Sequence, residues 1–258
     1  MKRQKPSVAY KLIKGLLRLC YPKMEVVGTE NLPDEPVVIV ANHSQMHGPI
    51  ACELYMPIER YTWCAGQMMQ LKEVPAYAYK DFWSYKSRWA KPFYKILSYV
   101  IAPLSVLIFC NAQTIGVYRD SRIVSTFKNT VSTLCSGKSV VVFPEQDVAH
   151  NNILFAFQDK FIGVARLYYK KTGKELAFVP MYIAPRLHKM YLGEPVCFQS
   201  DTPMDRERAR ICTYLMDTIT RMATKLPLHT VVPYRNMPAK DYPQNKPEEE
   251  TVCESTCS

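Results

Sequence analysis

The chain has 258 residues, 48% of them hydrophobic, 22% charged and 12% aromatic, with only 9 glycines. That composition excludes a wholly disordered or collagen-like chain and fits one large domain or two small ones. The formal charge of +10 is uneven: five acids and two lysines from Asn236 onward leave −3 there and +13 on the rest, a body suited to an anionic partner such as nucleic acid, a phosphorylated metabolite or an acidic membrane. Nine cysteines, odd in number, mostly in apolar runs and without paired C-x-x-C spacing, read as reduced core thiols of a cytosol-facing protein.

Ser7–Tyr21 has helical periodicity, with Lys11, Lys14 and Arg18 on one face and Leu12, Ile13, Leu16, Leu17 and Leu19 over most of the rest. The three cations break any signal-peptide core. A basic amphipathic helix of this kind lies on anionic lipid or packs as a terminal helix on the core. Val37–Ala41, Ser139–Phe143 and Ala177–Ile183 are short apolar runs, the pattern of strands buried on both faces. Between the first two, Tyr77–Lys95 holds eight aromatics, Tyr85 among them, interleaved with lysines and arginines, as at a bilayer interface. Ile96–Cys110 follows without a charge and is interrupted by Pro103. It is too short to span a bilayer and reads as a buried core helix or a re-entrant element. Aromatics among cations also suit stacking on single-stranded nucleic acid, but the adjoining apolar run has no use there, so no nucleic-acid partner is expected. Asp159–Lys170 and Asp205–Leu226 have helical spacing, and Asn236–Ser258, with three prolines and a glutamate run, reads as a disordered acidic tail. The expected class is α/β: a mixed, mostly parallel sheet flanked by helices. The expected division is an amphipathic helix over 1–24, a domain over 25–235 with an insertion at about 75–112, and the tail over 236–258.

Several partial signals carry nothing. Gly137-Lys138-Ser139 precedes a strand instead of following one, so it is no phosphate loop. His43 and His47 are four apart, but Gly48 and Pro49 oppose the helix that a zinc pair needs. No G-x-S-x-G elbow is present.

What remains is a spaced set. Asn42-His43 comes directly off the first buried strand, Gly116-Val117-Tyr118-Arg119 follows, Phe143-Pro144-Glu145 ends the second strand, and Val179-Pro180 lies in the third. In order and spacing the set resembles the glycerolipid acyltransferase family, which includes the bacterial lysophosphatidic acid acyltransferases. That family's blocks read Asn-His-x4-Asp, a segment ending in Arg, Phe-Pro-Glu-Gly-Thr-Arg, and Val-Pro. Val27–Pro33, Lys160–Gly163 and Leu192–Pro195 agree as flanking text, and the likeness covers about residues 10–225. Two departures make the chain a divergent member: Gly48 stands where the family has its aspartate, and Gln146-Asp147-Val148 replaces Gly-Thr-Arg.

The resemblance implies transfer of a fatty acyl group from an acyl-thioester, on coenzyme A or a carrier protein, to the hydroxyl of a lysophospholipid or related glycerolipid. No other cofactor and no metal is implied. His43 is then the general base, with Asn42, Arg119 and Glu145 holding the acceptor and the backbone near Gly48 and Val179 framing the acyl chain or oxyanion. Losing the orienting aspartate of a comparable triad costs about 10⁴ in rate, so Asp147 or Glu145 is expected to orient His43 instead. The expected setting is the cytosolic face of an anionic membrane. A lipid-binding relative without turnover is the alternative.

Overall fold

The computed structural model describes residues 6–83 and 87–246. Tyr85 and residues 247–258, part of the expected tail, lie outside them. In chain order the elements are α1 (Val8–Cys20), β1 (Glu25–Val27), β2 (Val38–Ala41), α2 (His47–Tyr55), β3 (Arg60–Ala65), α3 (Val74–Ala78), α4 (Lys91–Val100) and α5 (Ala102–Asn111). There follow β4 (Thr114–Val117), α6 (Ile123–Cys135), β5 (Ser139–Val142), β6 (Glu145–Ala149), β7 (Phe155–Phe157), α7 (Gly163–Thr172), β8 (Ala177–Ala184), β9 (Lys189–Leu192), β10 (Val196–Cys197) and α8 (Met204–Lys225).

Eight strands form one sheet in the order β1-β9-β8-β2-β5-β3-β4, with β10 added alongside β8; β6 and β7 make a separate hairpin. The pairs of β2 with β5 and β8, and of β3 with β4 and β5, are parallel, while β9 and β10 run antiparallel to β8. The fold is therefore α/β with a mostly parallel sheet. The apolar runs become central strands because alternate residues face different helices. Val38, Val40, Val140, Val142, Phe178 and Tyr182 pack with residues of α6, α7 and α8. Ile39, Ala41, Val141, Val179 and Met181 pack with Ala51 and Cys52 of α2. A parallel sheet covered on both faces leaves its strand ends as the open edge, and the carboxyl ends of β2, β3, β4 and β5 share one edge.

Three expectations need correction. The apolar run 96–110 is not a core helix: α4 and α5 meet at a 46° bend, where Pro103 sits in the first turn of α5, and only Ser98, Ala102 and Ser105 are buried along them. Among the described residues no single helix is long and apolar enough to cross a membrane. The cysteines are not mainly core thiols, since Cys20, Cys110, Cys135 and Cys197 are exposed. Residues 236–246 are not a loose tail, because Asn245 is buried and its amide donates to the Ala223 carbonyl at 2.8 Å.

Helix α1 is inverted for a helix on a globular body. Its anchors are polar: Ser7 caps its start, Tyr10 Oη donates to Glu53 of α2 at 2.7 Å, and Lys14 pairs with the same carboxylate. Val8, Leu12, Leu16 and Leu19 point outward, Leu19 being 85% exposed.

Candidate functional site

The site grows from the carboxyl end of β2. Its ladder with β8 ends at Ala41 and Met181. Asn42 prolongs it by acting as a peptide: Oδ1 accepts from Ile183 N at 2.7 Å and Nδ2 donates to Ile183 O at 3.0 Å and Ser44 Oγ at 2.8 Å. Asn42 is thus buried and engaged at both ends, and the expectation that it contacts substrate is corrected to one of positioning.

After Asn42 the chain turns back on itself. Ser44 and Gln45 take left-handed backbone angles, φ 47° and 53°, which residues with a Cβ adopt only when their surroundings enforce it. The turn brings the Gln45 carbonyl to Nδ1 of His43 at 2.5 Å. A carbonyl only accepts, so Nδ1 carries the proton and the lone pair of the neutral ring lies on Nε2. Among the described residues nothing hydrogen-bonds to Nε2. The ring rests 5.0 Å from Phe143 and has Tyr234 edge-on at 5.8 Å. Burial pushes its pKa below the ordinary 6.5, against the opposing pull of the Gln45 carbonyl, so it is neutral at pH 7. His47 belongs elsewhere, with Nδ1 3.0 Å from Tyr21 Oη.

Glu145 and Asp147, neighbours in β6, have different fates. Glu145 is buried, its two oxygens accepting from His43 N at 2.5 Å and Phe155 N at 2.9 Å. It holds the main chain of the His43 turn, so the readings of it as an acceptor ligand or as the partner of the ring are both corrected. Asp147 is exposed and paired with Arg235 at 2.7 Å, so it does not orient His43. Loss of water around Glu145 raises its pKa to about 7, although both backbone donors work the other way.

Gly48 is buried within the turn. Its N–H donates to the His43 carbonyl at 3.1 Å and is not free for an oxyanion. A Cβ here would sit 2.4 Å from that carbonyl oxygen and 3.0 Å from the Phe143 ring, so no side chain fits, an aspartate included. Val179 is likewise fully buried in the sheet core and frames no substrate. Where a carboxylate was expected to orient the ring, the group at Nδ1 is a main-chain carbonyl.

Arg119 stands just beyond β4, on the same edge. The segment is fixed on both sides of it. The Tyr118 ring is packed so closely on Gly66 that a Cβ there would fall 2.3 Å from it, and Arg122 lies over that ring while binding Asp120 at 2.7 Å and Glu73 at 2.6 Å. Arg119 itself is exposed and makes no ion pair among the described residues. Its charge is felt by Tyr77, Asp81 and Tyr234, and Tyr234 is the residue whose ring meets His43. Tyr234 therefore meets the His43 ring and also lies within range of the Arg119 charge. A shallow groove of about 450 Å³ beside Arg18, Tyr21, Lys23 and Tyr55 is separate, having neither His43 nor Arg119 in its walls.

Neither Gln45 nor any residue after α8 was expected at the site. Their one trace in the sequence is the apolar Val231-Val232 just before Pro233-Tyr234, both valines being buried.

No family model matches the chain, and no curated protein matches it. Among solved structures, the chain is similar to the crystal structure of the 1-acyl-sn-glycerophosphate (LPA) acyltransferase PlsC from Thermotoga maritima. The two are 16% identical, with 84% of this chain and 81% of that chain covered and a TM-score of 0.49.

Two predictions follow from the turn. Glu145→Gln isolates a pH-dependent stability term. The raised pKa means that the folded protein keeps a proton which the unfolded chain releases from about pH 4.5. The associated stability is complete below that pH and is lost as pH rises through about 7. Wild type should therefore lose about 3 kcal/mol relative to Glu145→Gln between pH 4.5 and 8, measured by urea unfolding at each pH. For Gly48, restoring an aspartate should damage the site. Gly48→Ala should cost about 1–3 kcal/mol in the same assay, and Gly48→Asp at least as much. An unchanged melting curve for Gly48→Asp would contradict the geometry.

Proposed function

We propose that the protein moves a fatty acyl group from an acyl-thioester to the hydroxyl of a lysophospholipid or related glycerolipid at an anionic membrane surface. One observation carries this reading. A neutral imidazole, its Nδ1 engaged by a main-chain carbonyl and its Nε2 unpartnered, shares a sheet edge with a guanidinium that has no ion pair among the described residues. The ordered motifs that resemble the glycerolipid acyltransferases support the same chemistry. In the reaction the acceptor hydroxyl oxygen attacks the thioester carbonyl carbon while His43 Nε2 takes the hydroxyl proton. The C–O bond forms, the C–S bond breaks, and the leaving thiolate takes the proton back from the imidazolium. Arg119 holds a phosphate on the acceptor, a role that suits a planar, permanently charged fork.

The test is acyl transfer from radiolabelled acyl-coenzyme A or acyl carrier protein across a lysolipid panel. His43→Ala should lose about 10²–10⁴ in kcat. Arg119→Ala should raise KM for phosphate-bearing acceptors more than for neutral ones. In wild type, kcat should climb along an acid limb centred below pH 6.5 and then stay level, because only the neutral ring accepts a proton. Undiminished activity in His43→Ala removes the mechanism. Lysolipid binding without turnover of any thioester favours the lipid-binding reading instead.

The membrane part rests on two outward stripes. Val8, Leu12, Leu16 and Leu19 form one on α1; Trp89, Phe93, Ile96 and Val100 form the other along α4, Trp89 being 95% exposed. Spacings of three and four keep each set on one face. The bent α4–α5 pair and α1 are tied where Ser7 N donates to Asn111 Oδ1 at 2.7 Å. Exposed Lys11, Arg18, Arg88 and Lys95 stand among these residues, so the occupant we assign is a bilayer with acidic headgroups. Sedimentation with vesicles of phosphatidylcholine and phosphatidylglycerol should pull down wild type at low salt. Leu16→Asp combined with Phe93→Asp should weaken binding about tenfold or more. Equal recovery with neutral and acidic vesicles would count against the charge argument.

A further inference from the structure

The segment after α8 has no part in the chemistry described above, yet it returns to the catalytic turn. Its base is locked. Asn245 Oδ1 accepts from His229 N at 2.8 Å, and Asn245 N donates to the His229 carbonyl at 3.1 Å. Asn245 Nδ2 binds the last carbonyls of α8, and His229 Nε2 meets Tyr182 Oη of β8 at 2.8 Å. Thr230 and Gln244 add a strand-like bridge, and Val231 N donates to the Pro243 carbonyl at 2.8 Å. Residues 229–245 are thus a closed strap with its two ends side by side, and its middle lies over the His43 turn.

The strap touches that turn at defined points. The side-chain amide of Gln45 meets Tyr242 Oη at 2.9 Å and donates to the Arg235 carbonyl at 3.3 Å. Arg235 is held by Asp147 of β6, and Tyr234 lies edge-on to the His43 ring. Gln45 carries φ 53°, a conformation that a side-chain-bearing residue leaves unless it is held. Its carbonyl is the group that fixes the Nδ1 proton.

We infer that the strap, through Tyr242 and Arg235, is a positioning element of the site: it holds Gln45 left-handed so that its carbonyl sets the tautomer and aim of His43. This rests on the acyltransferase reading for its kinetic consequence, though not for the tautomer itself. Gln45, Arg235 and Tyr242 are positioning residues, since none of them contacts the reacting atoms. The Asp147–Arg235 pair then acts at second hand, tethering the strap to the hairpin that also carries Glu145.

The experiment uses the full chain and two readouts. Nitrogen-15 histidine spectra report the His43 tautomer without any turnover. Wild type should show protonated Nδ1 and bare Nε2, and Tyr242→Phe and Gln45→Ala should mix the tautomers. Acyl-transfer kinetics on the same proteins should show kcat down about ten- to a hundredfold with KM for the thioester little changed. The acid limb should move toward pH 6.5 as the ring regains water. Asn245→Ala, which opens the base of the strap, should act in the same direction. Should it unfold the chain, the two milder variants still decide the matter. A wild-type ring protonated at Nε2, or kcat and tautomer both unchanged in Tyr242→Phe and Gln45→Ala, overturns the inference. The expected tautomer and its loss in the variants, in a protein that transfers no acyl group, supports the positioning role and sinks the acyltransferase reading alone.

Discussion

The turn from Asn42 to Gly48 depends on hydrogen bonds that hold it while two side-chain-bearing residues sit in left-handed backbone. Such conformations cost of order 1–3 kcal/mol each and persist only where neighbours over-determine them. Here the neighbours come from four directions. Asn42 is locked to β8, the His43 N–H to Glu145, the His43 carbonyl to Gly48, and the Gln45 side chain to the strap. Remove the sheet order that puts β2 between β8 and β5, and none of these groups would meet. The buried parallel sheet is thus what makes the strained turn affordable, and the turn is what presents the imidazole.

The electrostatics of the site follow from the same arrangement. A buried carboxylate and a half-buried imidazole serve the same turn, yet they do not pair. Glu145 spends its oxygens on backbone N–H groups, and the ring spends Nδ1 on a carbonyl. Burial drives both toward neutrality at pH 7, one from above and one from below. With Asp147 neutralised by Arg235 at the surface, Arg119 is left as the cation without an ion pair among the described residues of this edge. A neutral base on the same sheet edge as a guanidinium without an ion pair among the described residues suits, in the proposed reaction, an uncharged nucleophile carried on an anionic molecule. A carbonyl dipole stabilises an imidazolium less than a carboxylate charge would, so in the proposed acyl transfer the proton would return to the leaving thiolate more easily.

Much of this architecture is legible in the chain. Apolar runs announce Val38–Ala41, Ser139–Val142 and Ala177–Ala184, because a strand buried on both faces has little place for a charged residue. Asn42-His43 stands out for the converse reason, being polar at the end of such a run. The functional partner of His43 is not legible, because it is a main-chain atom: a carbonyl has no residue type, and positive φ at Ser44 and Gln45 leaves no glycine as a sign. Glu145 and Asp147 look interchangeable in sequence and would share a face in a regular strand, but the β6–β7 hairpin shifts register after Glu145, and one is buried while the other is exposed. Tyr234, Arg235 and Tyr242 are nearly 200 residues from His43, among prolines and charges that resemble a loose tail. The ladder of contacts that orders them starts from a single buried asparagine, which composition cannot distinguish from an exposed one.

The inverted polarity of α1 connects the site to its surroundings. A helix in water turns its leucines to the body, since each buried leucine contributes about 1.5–3 kcal/mol. Here the body offers α1 a carboxylate instead. Glu53 is bound by Lys14, Tyr10 and Arg60, while Leu12, Leu16 and Leu19 stay exposed. The leucine stripe is then unsatisfied unless a second apolar phase covers it, and the parallel stripe on α4 has the same requirement. Glu53 belongs to α2, and α2 begins at His47, immediately beyond the catalytic turn. The helix that anchors the outward leucines is therefore continuous with the residues that aim the imidazole, so a bilayer meeting α1 meets a surface rigidly joined to the site.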